Sequence, residues 1–312
     1  MPAKAASNLR FGAGNIDLAL ERAFFSMLHV IDAHHHFWKY KAADFPWITE
    51  EMETLRHDHR LAELEHELEF SGVDQVISVQ CRRTDRENQF LLEQARKSDG
   101  LVAGVVGWAP LDSHELRVFL DQYIHQPMLK GVREIIDAGA AESSLTNPDF
   151  DAGIDELKRH DLTFELMVSP EQLPAVIAFA DRHPDQRMAL NHGGCPRIRA
   201  GEFSESWAHD IRELARRPHL YCKISGLSAD LGLDYHRGAN TVQHSQLIRP
   251  YFDTMCKAFG PARLMYGSNW PLCNLTTSYP AWLTTMDDLV FALSEDEKNA
   301  IYSDTAMEFY QI

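Results

Sequence analysis

The chain has 312 residues, 45% of them hydrophobic and 24% charged, which is enough apolar material for one large packed core. Thirty basic residues against 46 acidic ones leave a formal charge of -16, which speaks against a nucleic-acid surface or an anionic membrane as the main partner. Five cysteines, widely spread and without a Cys-x-x-Cys pair, exclude a disulfide framework or a zinc knuckle and fit a reducing cytoplasm, and no apolar run reaches the ~20 residues of a membrane span.

Residues 1–26 read as an N-terminal extension ahead of a single domain over residues 27–312. Lys4 and Arg10 are followed by Asp17 and Glu21 before the short run Ala23–Met27, a pattern unlike a signal peptide. The first strand is expected over Leu28–Asp32 and runs into His34-His35-His36. In extended backbone His34 and His36 point together while His35 points away, and a matched imidazole pair can bind a metal or move protons. His57-Asp58-His59 has the same spacing but sits ahead of a helix rather than at a strand end, so it reads as solvated surface.

A helix over Arg60–Phe70 leads to a strand at Gln75–Gln80, a helix at Glu87–Lys97 to a strand at Val102–Trp108, and a helix at His114–Tyr123 to a strand at Gly131–Ile135. The alternation continues through Pro148–His160, Thr163–Val168, Pro170–Arg182, Met188–Asn191, Glu205–Arg216, Leu220–Ile224, Ser245–Phe259 and Leu264–Tyr266. The strands are near-continuous apolar runs, as expected when both faces of a parallel sheet are covered. Eight strand-helix steps without a linker predict an α/β fold: one (β/α)8 TIM barrel.

Chemistry in such a barrel belongs at the C-terminal ends of the strands. His34 and His36 end the first strand, and Gln80, Cys81, Arg82 and Arg83 end the second. Arg133 lies in the fourth, Asn191-His192-Gly193-Gly194 ends the sixth, Lys223-Ile224-Ser225-Gly226 the seventh, and Gly267-Ser268-Asn269-Trp270-Pro271 the eighth. Imidazoles, guanidinium groups, a serine and an amide therefore converge on one rim.

The elements Asp32-x-His34-x-His36-Phe37-Trp38, Lys130-Gly131-Val132-Arg133, Asn191-His192 and Tyr266-Gly267-Ser268-Asn269-Trp270-Pro271 resemble the amidohydrolase superfamily, over residues 28 to 312. Within it the pattern is most similar to the branch containing L-fuconolactonase and 2-pyrone-4,6-dicarboxylate lactonase. The resemblance implies a distorted TIM barrel that opens a small sugar or pyrone-type lactone. It also exposes a departure, because the branch usually has an aspartate where this chain has Asn269. A carboxylate takes a proton from attacking water, and a neutral amide does not. Three explanations stand: an engineered inactive variant, a chain in which His34, His36 or His192 supplies the base, or a descendant that only binds.

Lactone opening needs an activated water, donors where oxyanion charge develops, and contacts that orient the ring. His34, His36 and His192 are expected to polarise the carbonyl, with Asn269 guiding the water. Arg133, Gln80, Arg82 and Arg83 are expected to hold the substrate, since guanidinium suits bidentate contact. Trp38 and Trp270 either stack on the ring or pack at the barrel mouth. The lysine and histidine that binuclear members of the superfamily use on strands four and five are absent in register, so the cofactor is either none or a single divalent metal such as zinc on His34 and His36. A metal-dependent non-oxidative decarboxylase and a non-catalytic binding protein are the alternatives to the lactonase.

Overall fold

Eight strands form one sheet in which each is parallel to its neighbour in chain order: β1 (Ile31–His35), β2 (Gln75–Val79), β3 (Val102–Gly107), β4 (Leu129–Ile135), β5 (Thr163–Met167), β6 (Met188–Leu190), β7 (Leu220–Ile224) and β8 (Leu264–Tyr266). The computed structural model describes residues 28–312 apart from Phe70, residues 137–143 and residues 232–240. The expected extension over residues 1–26 lies outside the described residues. Numbered among the described residues, the helices are α1 (Leu61–Leu68), α2 (Asp85–Lys97), α3 (Leu116–Asp121), α4 (Pro148–Arg159), α5 (Leu173–Arg182), α6 (Glu205–Leu214), α7 (Thr241–Phe259), α8 (Tyr279–Val290), α9 (Glu295–Asn299) and α10 (Thr305–Tyr310).

The order β1 to β8 around the sheet, with helices between strands, is the expected (β/α)8 TIM barrel in one domain. Outward-facing strand residues such as Val76, Phe164, Leu190 and Ile224 pack with helix residues such as Leu91, Phe179 and Ile211 in the main cluster. The lower interior is filled by Ile31, Ile77, Val106, Ala189 and Met265, closed from below by Phe309 and Tyr310 of α10. Transfer values of about 25 cal/mol per Å² make burial of these two layers the main stabilising term.

Several boundaries differ from the sequence expectation, among them the start of α7 at Thr241 and of β4 at Leu129, and two have a clear local cause. β1 starts at Ile31 rather than Leu28, because the Val30 amide donates to the Asp74 carboxylate at 2.8 Å and the ladder begins only beyond it. α3 is confined to Leu116–Asp121 because its flanks close as tight turns, with Ser113 N–H bonded to Pro110 O and Tyr123 N–H to Leu120 O. The helix α8 follows β8 and is capped by Ser278, whose hydroxyl accepts from Ala281 N–H, with Pro280 in the first turn where no amide is needed.

The ring closes between β1 and the segment following β8. Asn269 N–H donates to His34 O and His36 N–H donates to Trp270 O, both at 2.7 Å. Gly267 makes this approach feasible, since a Cβ there would lie 2.8 Å from His34 Cβ. The residues that fasten the barrel are thus the residues singled out for chemistry.

Candidate active site

A β-bulge between Asp32 and His35 shapes the end of β1. Ile31 and Ala33 pack in the lower interior, and after the bulge His34 and His36 also reach the barrel mouth, while His35 turns outward to meet Ser78 Oγ at 2.9 Å. Asp32 pins the arrangement. Its carboxylate accepts from His34 N–H at 3.0 Å, from Ser268 N–H at 2.8 Å, from Ser268 Oγ at 2.5 Å and from Tyr279 OH at 2.9 Å. One buried carboxylate therefore sets the strand-one histidines and the strand-eight loop relative to each other.

The structure brings His34, His36, His192, Arg133, Gln80 and Asn269 together. The His34 ring centroid lies 4.9 Å from that of His36 and 4.6 Å from that of His192. His34 Nε2 is 3.3 Å from His36 Nε2 and 3.4 Å from Arg133 NH1, and His36 Nε2 is 3.2 Å from Asn269 Oδ1. Arg133 is held by Gln80, whose backbone oxygen accepts from Arg133 NH2 and whose side-chain amide donates to Arg133 O at 3.0 Å. Arg133 Nε and Gln80 Oε1 are buried without a hydrogen-bond partner. His192 Nδ1 is hydrogen-bonded to Ser225 Oγ at 2.8 Å, and Gly226 lies so close that a Cβ would sit 2.6 Å from that nitrogen.

Both loop residues, His192 (φ 55°) and Asn269 (φ 56°), occupy the left-handed region. Asparagine and aspartate tolerate it, whereas histidine there is unusual and is held by its surroundings. Two buried indoles supply part of that hold: Trp207 Nε1–H donates to Gly193 O at 2.8 Å and Trp282 Nε1–H donates to Gly267 O at 2.9 Å.

Beneath the imidazoles lies a fully buried ion pair that sequence reasoning did not assign. Lys223 of β7 donates to Glu165 Oε2 of β5 at 2.6 Å and to Ala33 O at 2.8 Å, and its Nζ is 3.4 Å from His34 Nδ1. Glu165 also accepts from Asn191 Nδ2 at 2.8 Å and from Tyr310 OH. The signal was present as charged residues inside otherwise apolar strands, Thr163-Phe164-Glu165-Leu166-Met167 and Leu220-Tyr221-Cys222-Lys223-Ile224, at positions that face the interior.

Burial dominates the electrostatics. It pulls the His34 and His36 pKa values well below the usual imidazole range, aided at His34 by the Lys223 ammonium and at His36 by Arg133. His192 is brought down to about 3 by burial and by Arg133. Burial lowers Lys223 to about 8 against the opposing pull of Glu165. All three imidazoles are therefore neutral near pH 7, and the positive charges against them are the Arg133 guanidinium and the Lys223 ammonium, each 3.4 Å from His34.

Hydrogen bonding then fixes which ring nitrogen does what. His36 Nδ1–H donates to Val79 O at 2.7 Å, so its Nε2 is an acceptor, with His34 Nε2 within hydrogen-bond reach at 3.3 Å. Facing it at 3.2 Å is a second acceptor, Asn269 Oδ1. On the other side of the pair His34 faces two cations at 3.4 Å, Arg133 NH1 at Nε2 and Lys223 Nζ at Nδ1, and because His36 Nε2 also calls for a hydrogen on His34 Nε2, that nitrogen and Arg133 NH1 are read as two donors. The mouth thus contains an acceptor pair suited to a water and a donor pair suited to an oxyanion.

Four residues expected to hold substrate are placed elsewhere. Arg82 is neutralised by Glu87 at 2.7 Å and Asp44 at 3.2 Å, and its guanidinium lies over Phe45. Arg83 pairs with Glu134 at 2.6 Å and donates to Ile135 O, which draws it to a cleft of about 400 Å³ beside the mouth, between the ends of β3 and β4. Trp38 is fully buried in a cluster with Phe45, Ile48 and Leu55, its indole N–H on His57 O at 3.0 Å. Trp270 is 1% exposed and packs on Phe37 and His59. Of the two readings for these indoles, packing at the mouth is the one their burial fits, because a buried ring offers no face to a ligand. His59, expected at the surface, is 3% exposed beneath the same two indoles.

The donor set does not fit a divalent cation on His34 and His36. A ligating imidazole normally donates its other N–H to an acceptor. His36 does so, but His34 Nδ1 faces an ammonium. Arg133 adds a second cation at 3.4 Å, and the third candidate ligand, Asn269, is uncharged. Among the described residues no group of three or more His, Cys, Asp or Glu side chains is arranged to hold a metal ion.

The Amidohydrolase family model matches residues 31–312. An L-fucono-1,5-lactonase of Burkholderia ambifaria is 33% identical over 288 residues, spanning 90% of this chain and 95% of its own length. An L-fucono-1,5-lactonase of Burkholderia multivorans is 33% identical over 290 residues, spanning 90% of this chain and 96% of its own. The crystal structure of an amidohydrolase from Burkholderia multivorans with bound zinc superposes with a TM-score of 0.84 at 33% identity, covering 91% of this chain and 99% of that one.

Proposed function

The chain belongs to the amidohydrolase family, and from that premise we propose that it hydrolyses the ester ring of a small lactone, a sugar lactone before a pyrone, at the C-terminal mouth of its barrel. The observation that carries the reading is the pairing of two mismatches, an acceptor pair (His36 Nε2 and Asn269 Oδ1, 3.2 Å) beside a donor pair (His34 Nε2 and Arg133 NH1, 3.4 Å). A water donates to the first pair and a developing oxyanion accepts from the second, which are the two things ester hydrolysis brings to a site.

In this reading the water bonds to Asn269 Oδ1, which orients it, and to His36 Nε2, which takes its proton as oxygen attacks the carbonyl. Arg133 and the His34 Nε2–H receive the carbonyl oxygen as it becomes charged. His192, hydrogen-bonded to Ser225, borders the ring, and the proton that His36 took from the water passes to the departing ring oxygen as the tetrahedral intermediate collapses. The aspartate of related chains is thus replaced by a division of labour, the amide orienting and the imidazole accepting. No step is assigned to a metal, since the tautomer at His34 and the guanidinium beside it disfavour one.

The 33% identity to L-fucono-1,5-lactonases over nine-tenths of the chain supports a sugar lactone as substrate. A cytoplasmic setting is part of the proposal and is supported by five free cysteines. Among the described residues no helix is long and apolar enough to cross a membrane. The test is acid release, followed with a pH indicator, against a panel of sugar 1,5- and 1,4-lactones and a pyrone dicarboxylate lactone. Acid formation above the spontaneous rate with a sugar lactone, abolished by His36→Asn, is the expected result. Release of carbon dioxide from an aromatic acid, or binding without any product, overturns it.

A further inference from the structure

We propose that Lys223 is a positioning residue for lactone opening: by donating to His34 Nδ1 it fixes the tautomer in which His34 presents an N–H, and not a lone pair, to the barrel mouth. The catalytic consequence rests on the lactonase reading, whereas the tautomer itself stands on hydrogen-bond geometry alone.

Lys223 is fully buried in β7, and an ammonium has three donors and no lone pair. Three acceptors surround it: Glu165 Oε2 at 2.6 Å, Ala33 O at 2.8 Å and His34 Nδ1 at 3.4 Å. Arg133 NH1 faces Nε2 at the same 3.4 Å, but His36 Nε2, which carries no hydrogen, needs a donor from that nitrogen at 3.3 Å, so Nδ1 is the accepting nitrogen and the single proton of the neutral ring sits on Nε2. The ammonium is kept in place by its partner, because Glu165 is itself held by Asn191 Nδ2 and by Tyr310 OH from the C-terminal helix. The neighbouring ring is set the other way. His36 Nδ1–H donates to Val79 O, leaving Nε2 bare.

The two imidazoles of one His-x-His pair are thus held in opposite tautomers, by an ammonium at one and a peptide carbonyl at the other. One presents a donor and the other an acceptor to the same space, and with their Nε2 atoms 3.3 Å apart they bond to each other until substrate and water enter between them. Hydrolysis needs both, an acceptor for the proton of water and a donor for the oxyanion, and two rings in the same tautomer would supply only one of them. Arg133 NH1 cannot replace this control, because it approaches His34 from the mouth side and would itself call for a lone pair there.

The test is the nitrogen NMR spectrum of histidine-labelled protein near neutral pH, with signals assigned through His34→Asn and His36→Asn. In the native chain His34 is expected to carry its proton on Nε2 and His36 on Nδ1. In Lys223→Met/Glu165→Gln, which removes both members of the buried pair so that neither charge is stranded, His34 is expected to gain an Nδ1–H form while His36 keeps its tautomer as the internal reference. The same variant is expected to lose about 10²-fold in kcat with KM within about threefold, the pattern of a lost transition-state donor. A native spectrum with His34 protonated on Nδ1 overturns the proposal without any variant. So does a folded double variant that retains the native His34 tautomer, or one that changes tautomer with kcat intact. If the native chain opens no lactone in the panel, the proposed function fails, and the native spectrum still decides the role of Lys223 in setting the ring.

Discussion

Asn269→Asp is the substitution that most directly interrogates the site, because it restores a carboxylate while changing almost nothing else. The side chains are isosteric, and the left-handed backbone at this position (φ 56°) suits aspartate as well as asparagine. The side-chain oxygen already lies 3.2 Å from His36 Nε2, where the attacking water is to be held. Orientation is therefore unchanged and only proton acceptance is gained. A positioned general base contributes about 10² to 10⁴ in rate, and since His36 already accepts a proton the lower end applies, about 10²-fold in kcat/KM or about 2.7 kcal/mol of barrier. The new carboxylate is 97% buried if it keeps the exposure of Asn269, which is 3%, but it enters a mouth whose buried guanidinium, Arg133, has no ion-pair partner among the described residues, so its ionised form is stabilised there. Initial rates of acid release for both chains on the same sugar lactone measure the effect. A folded Asn269→Asp chain that is no faster, or is slower, would show that position 269 does not meet the water and would refute the acceptor-pair argument.

Arg133→Met removes one of two oxyanion donors and is expected to lower kcat by about 10² to 10³-fold with a smaller change in KM, as read from steady-state kinetics; an equal rise in KM with kcat intact would assign Arg133 to substrate binding alone. Trp282→Phe leaves Gly267 O without its 2.9 Å indole donor and is expected to cost about 1–3 kcal/mol in chemical denaturation and to lower activity, because that carbonyl positions the loop carrying Asn269. His35, His59 and His192 are each brought down to about 3 by burial, from an ordinary value of 6.5. Below pH 6.5 the unfolded chain takes up protons that the folded chain refuses, so stability is full above that pH and falls as pH drops towards 3, by about 1.4 kcal/mol per unit for each group. Urea midpoints that stay constant or rise between pH 6 and 5 contradict this. Extended dialysis against a chelator is expected to leave lactone hydrolysis unchanged, and activity lost with the chelator and regained with zinc would overturn the tautomer argument against a metal.

The sequence made the barrel legible because most strands are largely apolar runs too short for a helix, separated by segments with helical periodicity, down to β8, which is only Leu264–Tyr266. It placed β1 early because Leu28 and Val30 look like strand, and nothing local announces that Asp74 takes the Val30 amide. The convergence of His34, His36, His192 and Asn269 was readable from strand-end position, since that is where side chains of a closed ring meet, and Arg133 joins them from within β4. The ion pairs of Arg82 and Arg83 were not legible, because a guanidinium after a strand looks the same whether it meets a substrate or a carboxylate such as Glu87 or Glu134. Trp38 and Trp270 could be read either way, and only their burial selects packing. Lys223, Glu165 and Asp32 were not assigned a role because each acts through a partner remote in sequence, up to 247 positions away for the Asp32–Tyr279 bond.

The join between β1 and the loop after β8 ties the endurance of the cylinder to its competence. Its two 2.7 Å amide bonds are made by His34 with Asn269 and by His36 with Trp270, so any fluctuation that parts the staves at this place also separates the proton acceptor from the amide that aims the water. Widening the mouth here to admit a bulkier ring would disassemble the chemistry in the same motion, which directs adaptation toward the opposite side of the rim. Deuterium uptake at the Asn269 and His36 amides therefore reports the fraction of the population in which the seam is open and the site disassembled.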